Sequence, residues 1–258
     1  MLNFSANLGF LWTELPLTDA IHAAAAGGFD AVECHMPYDT RADDVSAALT
    51  ETGMVMRSIN TRIGESPDEL GLAAMPGRET LARRYIDEAV EYADAIGAVA
   101  ISVVAGKSGR TSDAEDTYRK NLTYAAARAE TAGLTVLIEP LNTNVAADYH
   151  LVSADAGSET IDAIGASNLK LMVDCFHVAF MDGELRPVFE RVISNVGHVQ
   201  FASIPHRNEP DRGDVDYGQF LPWLCELGYE GPFGAEYNPT GPVEDGLGWL
   251  DTLRKESP

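Results

Sequence analysis

Apolar and polar positions along this chain alternate between two periods. Short runs rich in Val, Ile, Leu, Phe and Ala fall at 3–8, 30–35, 54–59, 98–104, 135–139, 169–174, 197–203 and 232–236. Runs of that length and composition are read as β-strands. Between them, apolar residues recur at three- and four-residue steps near 17–27, 41–52, 78–96, 113–132, 155–164, 184–194, 217–227 and 242–254. That spacing builds one face of an α-helix. Glu79-Thr-Leu-Ala-Arg-Arg-Tyr-Ile-Asp-Glu-Ala-Val-Glu-Tyr-Ala93 shows it most plainly. Helix ends are marked by Gly27-Gly28, Gly53, Gly97, Gly133 and Gly228, because glycine accepts the left-handed turn that ends a helix. Eight β-then-α units predict a parallel α/β sheet. Closure into a (β/α)8 TIM barrel is the simplest arrangement for eight, although the pattern alone leaves a doubly wound sheet open. No linker or short repeat interrupts it, so residues 1–258 are expected to form a single domain. The length of 258 residues suits a barrel, which runs near ~250 residues.

Charge narrows the partners. The chain carries 40 acidic against 18 basic residues, a net charge of −22. Such a surface repels nucleic-acid phosphates and anionic membranes, so neither is expected as a partner. Hydrophobic residues make up 45% of the chain, enough for a large core. Cys34, Cys175 and Cys225 are odd in number and widely spaced; no disulfide framework or zinc signature follows. The start, Met1-Leu-Asn-Phe-Ser-Ala-Asn7, lacks a basic region followed by an apolar one, so no signal peptide is expected. No apolar run approaches the ~20 residues of a membrane span. Together with thiols read as reduced, this predicts a cytoplasmic protein. A homodimer stays open.

The chemistry is expected at the strand ends. Glu139, Asp174, Gln200 and Glu236 stand at or beside the C-terminal ends of four consecutive runs, separated by 35, 26 and 36 residues. Each gap fits a loop, a helix and the next strand. In a closed parallel barrel all four converge on one mouth, where strand-end acids read as catalytic. Three carboxylates and an amide oxygen make a site for a hard divalent cation; with an amide among the ligands, Mg2+ or Mn2+ is expected rather than Zn2+. Each residue also has a plainer reading. Glu139 and Glu236 could be surface acids, and Asp174 a helix N-cap beside a structural His177. His198 and Gln200 share one strand face and could be a satisfied core pair. If the segment Asp174-Cys-Phe-His177 turns helical, however, carboxylate and imidazole face one site.

Three long loops leave the same side: Asn60 to Gly77, Pro140 to His150 and Ile204 to Asp216. The last is the most polar stretch of the chain. Arg207 or Arg212 within it could clamp a carboxylate bidentately, and Lys107, one of four lysines, is a second anion-binding candidate. Asn7, Glu33, His35 and Asn60 complete the ring of strand-end polar groups. Phosphate loops of the Gly-x-Gly-x-x-Gly and Walker types are absent, as is a Gly-x-Ser-x-Gly elbow.

At these residues the chain resembles the hydroxypyruvate isomerase family, within the xylose-isomerase-like barrels. The likeness spans essentially the whole sequence. It runs through Phe4-Ser-Ala-Asn-Leu8, Gly28-Phe-Asp-Ala-Val-Glu33 with Pro37-Tyr38, and Pro76-Gly-Arg-Glu79. It continues through Ile138-Glu-Pro-Leu-Asn142, Gly197-His-Val-Gln200 and Pro205-His-Arg-Asn-Glu-Pro210. Ala235-Glu-Tyr-Asn-Pro239 and Gly246-Leu-Gly-Trp249 close it. The resemblance implies an aldose–ketose isomerase that interconverts hydroxypyruvate and tartronate semialdehyde through an enediol. It implies Glu139 and Glu236 as the proton-transfer pair. With Asp174 and Gln200, the same two residues would hold one divalent ion. A small hydroxy-oxo acid substrate would meet His177, Arg207 and Lys107. The 2-oxo-tetronate isomerases share most of these motifs. Ketose 3-epimerases on this scaffold typically have His where this chain has Gln200. The related DNA-repair endonucleases need further His ligands where this chain has Asn60 and Gln200.

Overall fold

The protein, a computed structural model, is described over residues 1–66 and 68–255. Pro67, in the first predicted long loop, and residues 256–258 lie outside them. Eight strands alternate with helices: β1 Phe4–Asn7, α1 Leu17–Ala26, β2 Ala31–Cys34, α2 Ala42–Thr52, β3 Val55–Asn60, α3 Glu79–Ile96, β4 Ala100–Ser102 and α4 Ser112–Glu130. There follow β5 Thr135–Ile138, α5 Ala154–Ile164, β6 Leu169–Asp174, α6 Cys175–Asp182, α7 Leu185–Val192, β7 Val196–Phe201, α8 Tyr217–Glu226, β8 Phe233–Ala235 and α9 Gly248–Lys255. All neighbouring strands are parallel, and β8 closes on β1, so the sheet is a closed barrel in sequence order. The doubly wound alternative is thereby excluded.

Local chemistry sets these boundaries. Along α3 the positions Ala82, Tyr85, Ile86, Ala89, Val90, Ala93 and Ile96 are buried, which is the three-and-four pattern of the sequence laid against the sheet. The helix stops at Gly97 with φ 68°, a left-handed cap that costs glycine little. Side-chain oxygens of Thr111, Ser153 and Asp216 cap α4, α5 and α8, satisfying amides that a helix start leaves free. Between the strands and α9, Phe4 packs edge-on to Trp249 at 5.3 Å and tilted against Phe201 at 5.8 Å.

Two predicted elements differ in extent. The segment after β6 forms a separate helix, α6, so nine α-helices stand among the described residues where eight repeats predicted eight. Asp174 caps α6 by accepting from the Phe176 amide at 2.9 Å. The helix predicted over 242–254 divides into a 3-10 turn, Val243–Gly246, and α9; Gly246 and Gly248 flank the break. The first long loop meets the segment after β4. Gly71 pairs with Ala105 across the gap, and Lys107 N donates to Glu69 O at 3.2 Å. A Cβ on Gly71 would lie 2.2 Å from Val104 O, so only glycine permits that approach.

Candidate active site

The C-terminal ends of the strands carry the candidate residues. Glu139 follows β5 directly, Asp174 ends β6, Gln200 lies in β7 and Glu236 follows β8. The register draws them together: Asp174 pairs with Gln200, and Gln200 with Gly234. Glu139 lies one residue beyond Ile138, the partner of Leu171. Ligand atoms of Glu139, Asp174 and His177 lie within 4.8 Å of one another. Of the four residues expected to converge, Glu139 and Asp174 belong to this group, joined by His177.

An arginine and a histidine frame this acidic cluster. Arg207 Nη2 donates to Asp174 Oδ2 at 2.8 Å and lies 3.4 Å from Glu236 Oε1. Its guanidinium is sandwiched between the rings of Phe10 at 4.7 Å and Phe176 at 4.8 Å, contacts that hold a flat cation by its faces. Its backbone sits at φ 55°, a region costly for a residue with a Cβ. Hydrogen bonds from Arg207 N to Ser203 O at 2.8 Å and from Asn238 N to Arg207 O at 2.7 Å keep it there. His35 Nε2 donates to Glu236 Oε1 at 3.4 Å, and a cavity of about 290 Å³ lined by Gly9, His35, Met36 and Pro37 opens beside it.

His177 is a donor toward the cluster. Its Nδ1 accepts from the Asn142 backbone N–H at 3.2 Å and faces the Asn142 side-chain nitrogen at 2.9 Å. Burial lowers its pKa, favouring the neutral ring, and with Nδ1 accepting, the proton of that form belongs on Nε2. That nitrogen stands 3.8 Å from Glu139 Oε1 and 3.7 Å from Asp174 Oδ2. A protonated ring nitrogen has no lone pair for a metal.

The environment separates the carboxylates. Burial, followed by the negative charges of Glu236 and Asp174, pushes the Glu139 carboxyl well above its usual range. Burial also raises Asp174, against the pull of Arg207 and His177. Glu236 goes the other way. Burial opposes its ionisation, but the hydrogen bond from His35 and the charge of Arg207 hold it below the ordinary value.

Two buried oxygens in this ring, Gln200 Oε1 and Glu236 Oε2, have no hydrogen-bond partner. A buried acceptor left unpaired is costly. With oxygens of Glu139 and Asp174 they would supply an all-oxygen donor set, the kind a hard divalent cation takes.

Among the predicted contacts, His177 and Arg207 join the cluster. Arg212 is directed elsewhere, to Thr240 Oγ1 at 2.6 Å and toward Glu209 Oε2 at 3.6 Å. The Lys107 ammonium, among the described residues, makes no hydrogen bond or ion pair. Asn60 contributes its main chain, donating N–H to His35 O at 2.6 Å. Asn7 and Glu33 lie in a polar layer beneath the ring. Sequence reasoning missed Asn142, Phe10 and Phe176 as supports. Asn142 was within reach, as a polar residue three positions past Glu139; the two phenylalanines carry no signal in isolation.

A family model described as Xylose isomerase-like TIM barrel matches residues 21–253. A 2-oxo-tetronate isomerase from Cupriavidus necator is 40% identical over 254 residues, covering 97% of this chain and 98% of that protein. A Danio rerio protein named "Putative hydroxypyruvate isomerase" is 38% identical over 260 residues, covering 96% and 94%. A crystal structure titled AP endonuclease, family 2, from Brucella melitensis superposes with a TM-score of 0.93 at 33% identity, covering 98% of this chain and 99% of that one.

Proposed function

The chain belongs to the xylose isomerase-like TIM barrel family, and on that premise we propose that it isomerises a small hydroxy-oxo acid, interconverting hydroxypyruvate and tartronate semialdehyde. The observation that carries this reading is the carboxyl pair Glu139 and Glu236, one pushed up and one held down, beside a buried ring of oxygen donors. Two carboxyls whose environments separate their proton affinities are what acid–base transfer between adjacent carbons needs.

In the forward direction C3 of hydroxypyruvate loses a proton and C2 gains one, through an enediol. Meanwhile the O3 hydroxyl becomes the aldehyde and O2 becomes the hydroxyl. One of Glu139 and Glu236 removes the carbon proton and the other returns one to the neighbouring carbon. His177 presents its Nε2–H to the substrate oxygens. Arg207, aligned by Phe10 and Phe176, supplies the cation for the substrate carboxylate. The chain's net charge of −22 opposes an anionic substrate at long range, but screening over about 8 Å at physiological salt leaves the local cation in control. Glu139, Asp174, Gln200 and Glu236 would hold a divalent ion, Mg2+ or Mn2+. Such an ion supplies Lewis-acid polarisation of a carbonyl.

A second reading takes the same steps on 2-oxo-tetronate, favoured by the 40%-identical Cupriavidus necator protein. The kcat/KM ratio for the two acids separates the readings. The likeness to the Brucella melitensis protein adds no third, because the net charge of −22 opposes a DNA backbone. Glu139→Gln and Glu236→Gln test the shared claim. Each should lower kcat by about 10²–10⁴-fold, the usual share of general acid–base catalysis, with an unchanged circular dichroism spectrum. Full activity in both folded variants would overturn it.

A further inference from the structure

Beneath the ring lies a buried polar layer that the reaction does not use. Glu33, at 1% exposure, accepts from Ser5 Oγ at 3.3 Å, Asn7 Nδ2 at 3.1 Å and Gln200 Nε2 at 2.8 Å, and its Oε2 meets His198 Nε2. From this layer we propose that Glu33 is a positioning residue that turns the amide oxygen of Gln200 into the carboxylate ring. The inference rests on the reading of Glu139, Asp174, Gln200 and Glu236 as a cation site.

The two ends of a primary amide are nearly alike in shape. The oxygen and nitrogen of Gln differ little in size, so the shape of a pocket does not choose between them. Their chemistry differs entirely. Facing the ring, an NH2 donates to the carboxylates and repels a cation, whereas the oxygen ligates it. The choice is therefore made behind the side chain. Glu33 Oε1 accepts from the NH2 end and so sends Oε1 of Gln200 outward. There it is buried and without a partner.

Glu33 is itself prevented from turning away. Four donors converge on its two oxygens from β1 and β7. Asn7 cannot reverse its own amide, because Gly9 N donates to Asn7 Oδ1 at 2.9 Å. On β8, Gly234 leaves the room in which the two side chains meet. A Cβ there would lie 2.7 Å from Glu33 Oε1, 2.9 Å from Glu33 Oε2 and 2.9 Å from Gln200 Cγ. The contact with Gln200 is separable from that with His198, since they use different oxygens of Glu33.

Mn2+ binding to the chelator-stripped protein, read from the free-ion EPR signal, tests this alongside the melting temperature of each apo variant. Glu33→Ala and Gly234→Ala should each weaken Mn2+ about 10- to 100-fold, the usual loss when a group supporting a ligand is removed. Glu33→Gln, whose carbonyl still accepts from Gln200, should lose less. His198→Ala breaks the same buried layer without releasing Gln200, so its melting temperature falls while its Mn2+ affinity stays near that of the wild type. Wild-type affinity in folded Glu33→Ala or Gly234→Ala would overturn the inference. So would a His198→Ala loss as large as theirs, since general packing would then explain all of them. Failure of the wild-type protein to bind Mn2+ would instead overturn the cation-site reading, and the inference with it.

Discussion

Gly9 touches neither substrate nor carboxylate in this account, yet a methyl group there should disable the site. Its ideal Cβ would lie 2.4 Å from His35 Nδ1 and 2.6 Å from His35 Cε1. Ordinary contact needs the imidazole to retreat by about 1 Å, which a hydrogen bond already at 3.4 Å to Glu236 does not survive. A hydrogen bond to a charged group contributes about 1.5–3 kcal/mol. Lost from the reacting pair, that corresponds to a drop in kcat/KM of about 10- to 150-fold. Gly9→Ala should cost this much with its far-ultraviolet circular dichroism spectrum unchanged. The assay is a double-mutant cycle of Gly9→Ala and His35→Ala on hydroxypyruvate turnover. With the ring gone the new methyl has space, so the double variant should match His35→Ala alone. Strict additivity, or wild-type activity in Gly9→Ala, would refute the steric route.

Two further outcomes follow from the same contacts. Arg207→Met should reduce kcat/KM about 10- to 100-fold through one lost charged hydrogen bond, while Arg212→Ala, on the far side of its loop, should leave it near wild type; the reverse order in steady-state assays would contradict the placement of the substrate cation. His150 is held below its ordinary pKa chiefly by burial, against Glu115. The unfolded chain therefore binds more protons, and this stability is fully present above the unfolded value of about 6.5 and lost as pH falls through the lower folded one. Urea midpoints at pH 7.5 and pH 5 should thus fall further for the wild type than for His150→Gln; equal changes would remove the assignment.

Much of this architecture was legible because barrels repeat. Eight alternations of period, with glycine after the helices, were enough to place the strands. Gly53 and Gly97 do end their helices in the left-handed region. His198 and Gln200 share a face as their spacing required, and both reach Glu33. The strand-end acids were legible for the same reason, since register follows from length. What escaped has physical causes. Helix α6 spans eight residues, too few turns for a periodic signal beside a strand. Arg207 and Arg212 lie in one irregular loop, where neither period applies, and a positive φ with a pair of aromatic faces decides between them. Asp174 caps α6 with Oδ1, the plainer of its two readings, and leaves Oδ2 to pair with Arg207.

The central claim is proton transfer between two adjacent carbons of a hydroxy-oxo acid by the carboxyls of Glu139 and Glu236. Proton NMR of hydroxypyruvate in D2O with the purified protein, with and without Mg2+ or Mn2+, tests it most directly. Tartronate semialdehyde carrying deuterium at C2, formed only when the divalent ion is present, is the expected result. Hydroxypyruvate that neither converts nor exchanges its C3 protons, with the ion supplied and the protein folded, would contradict it.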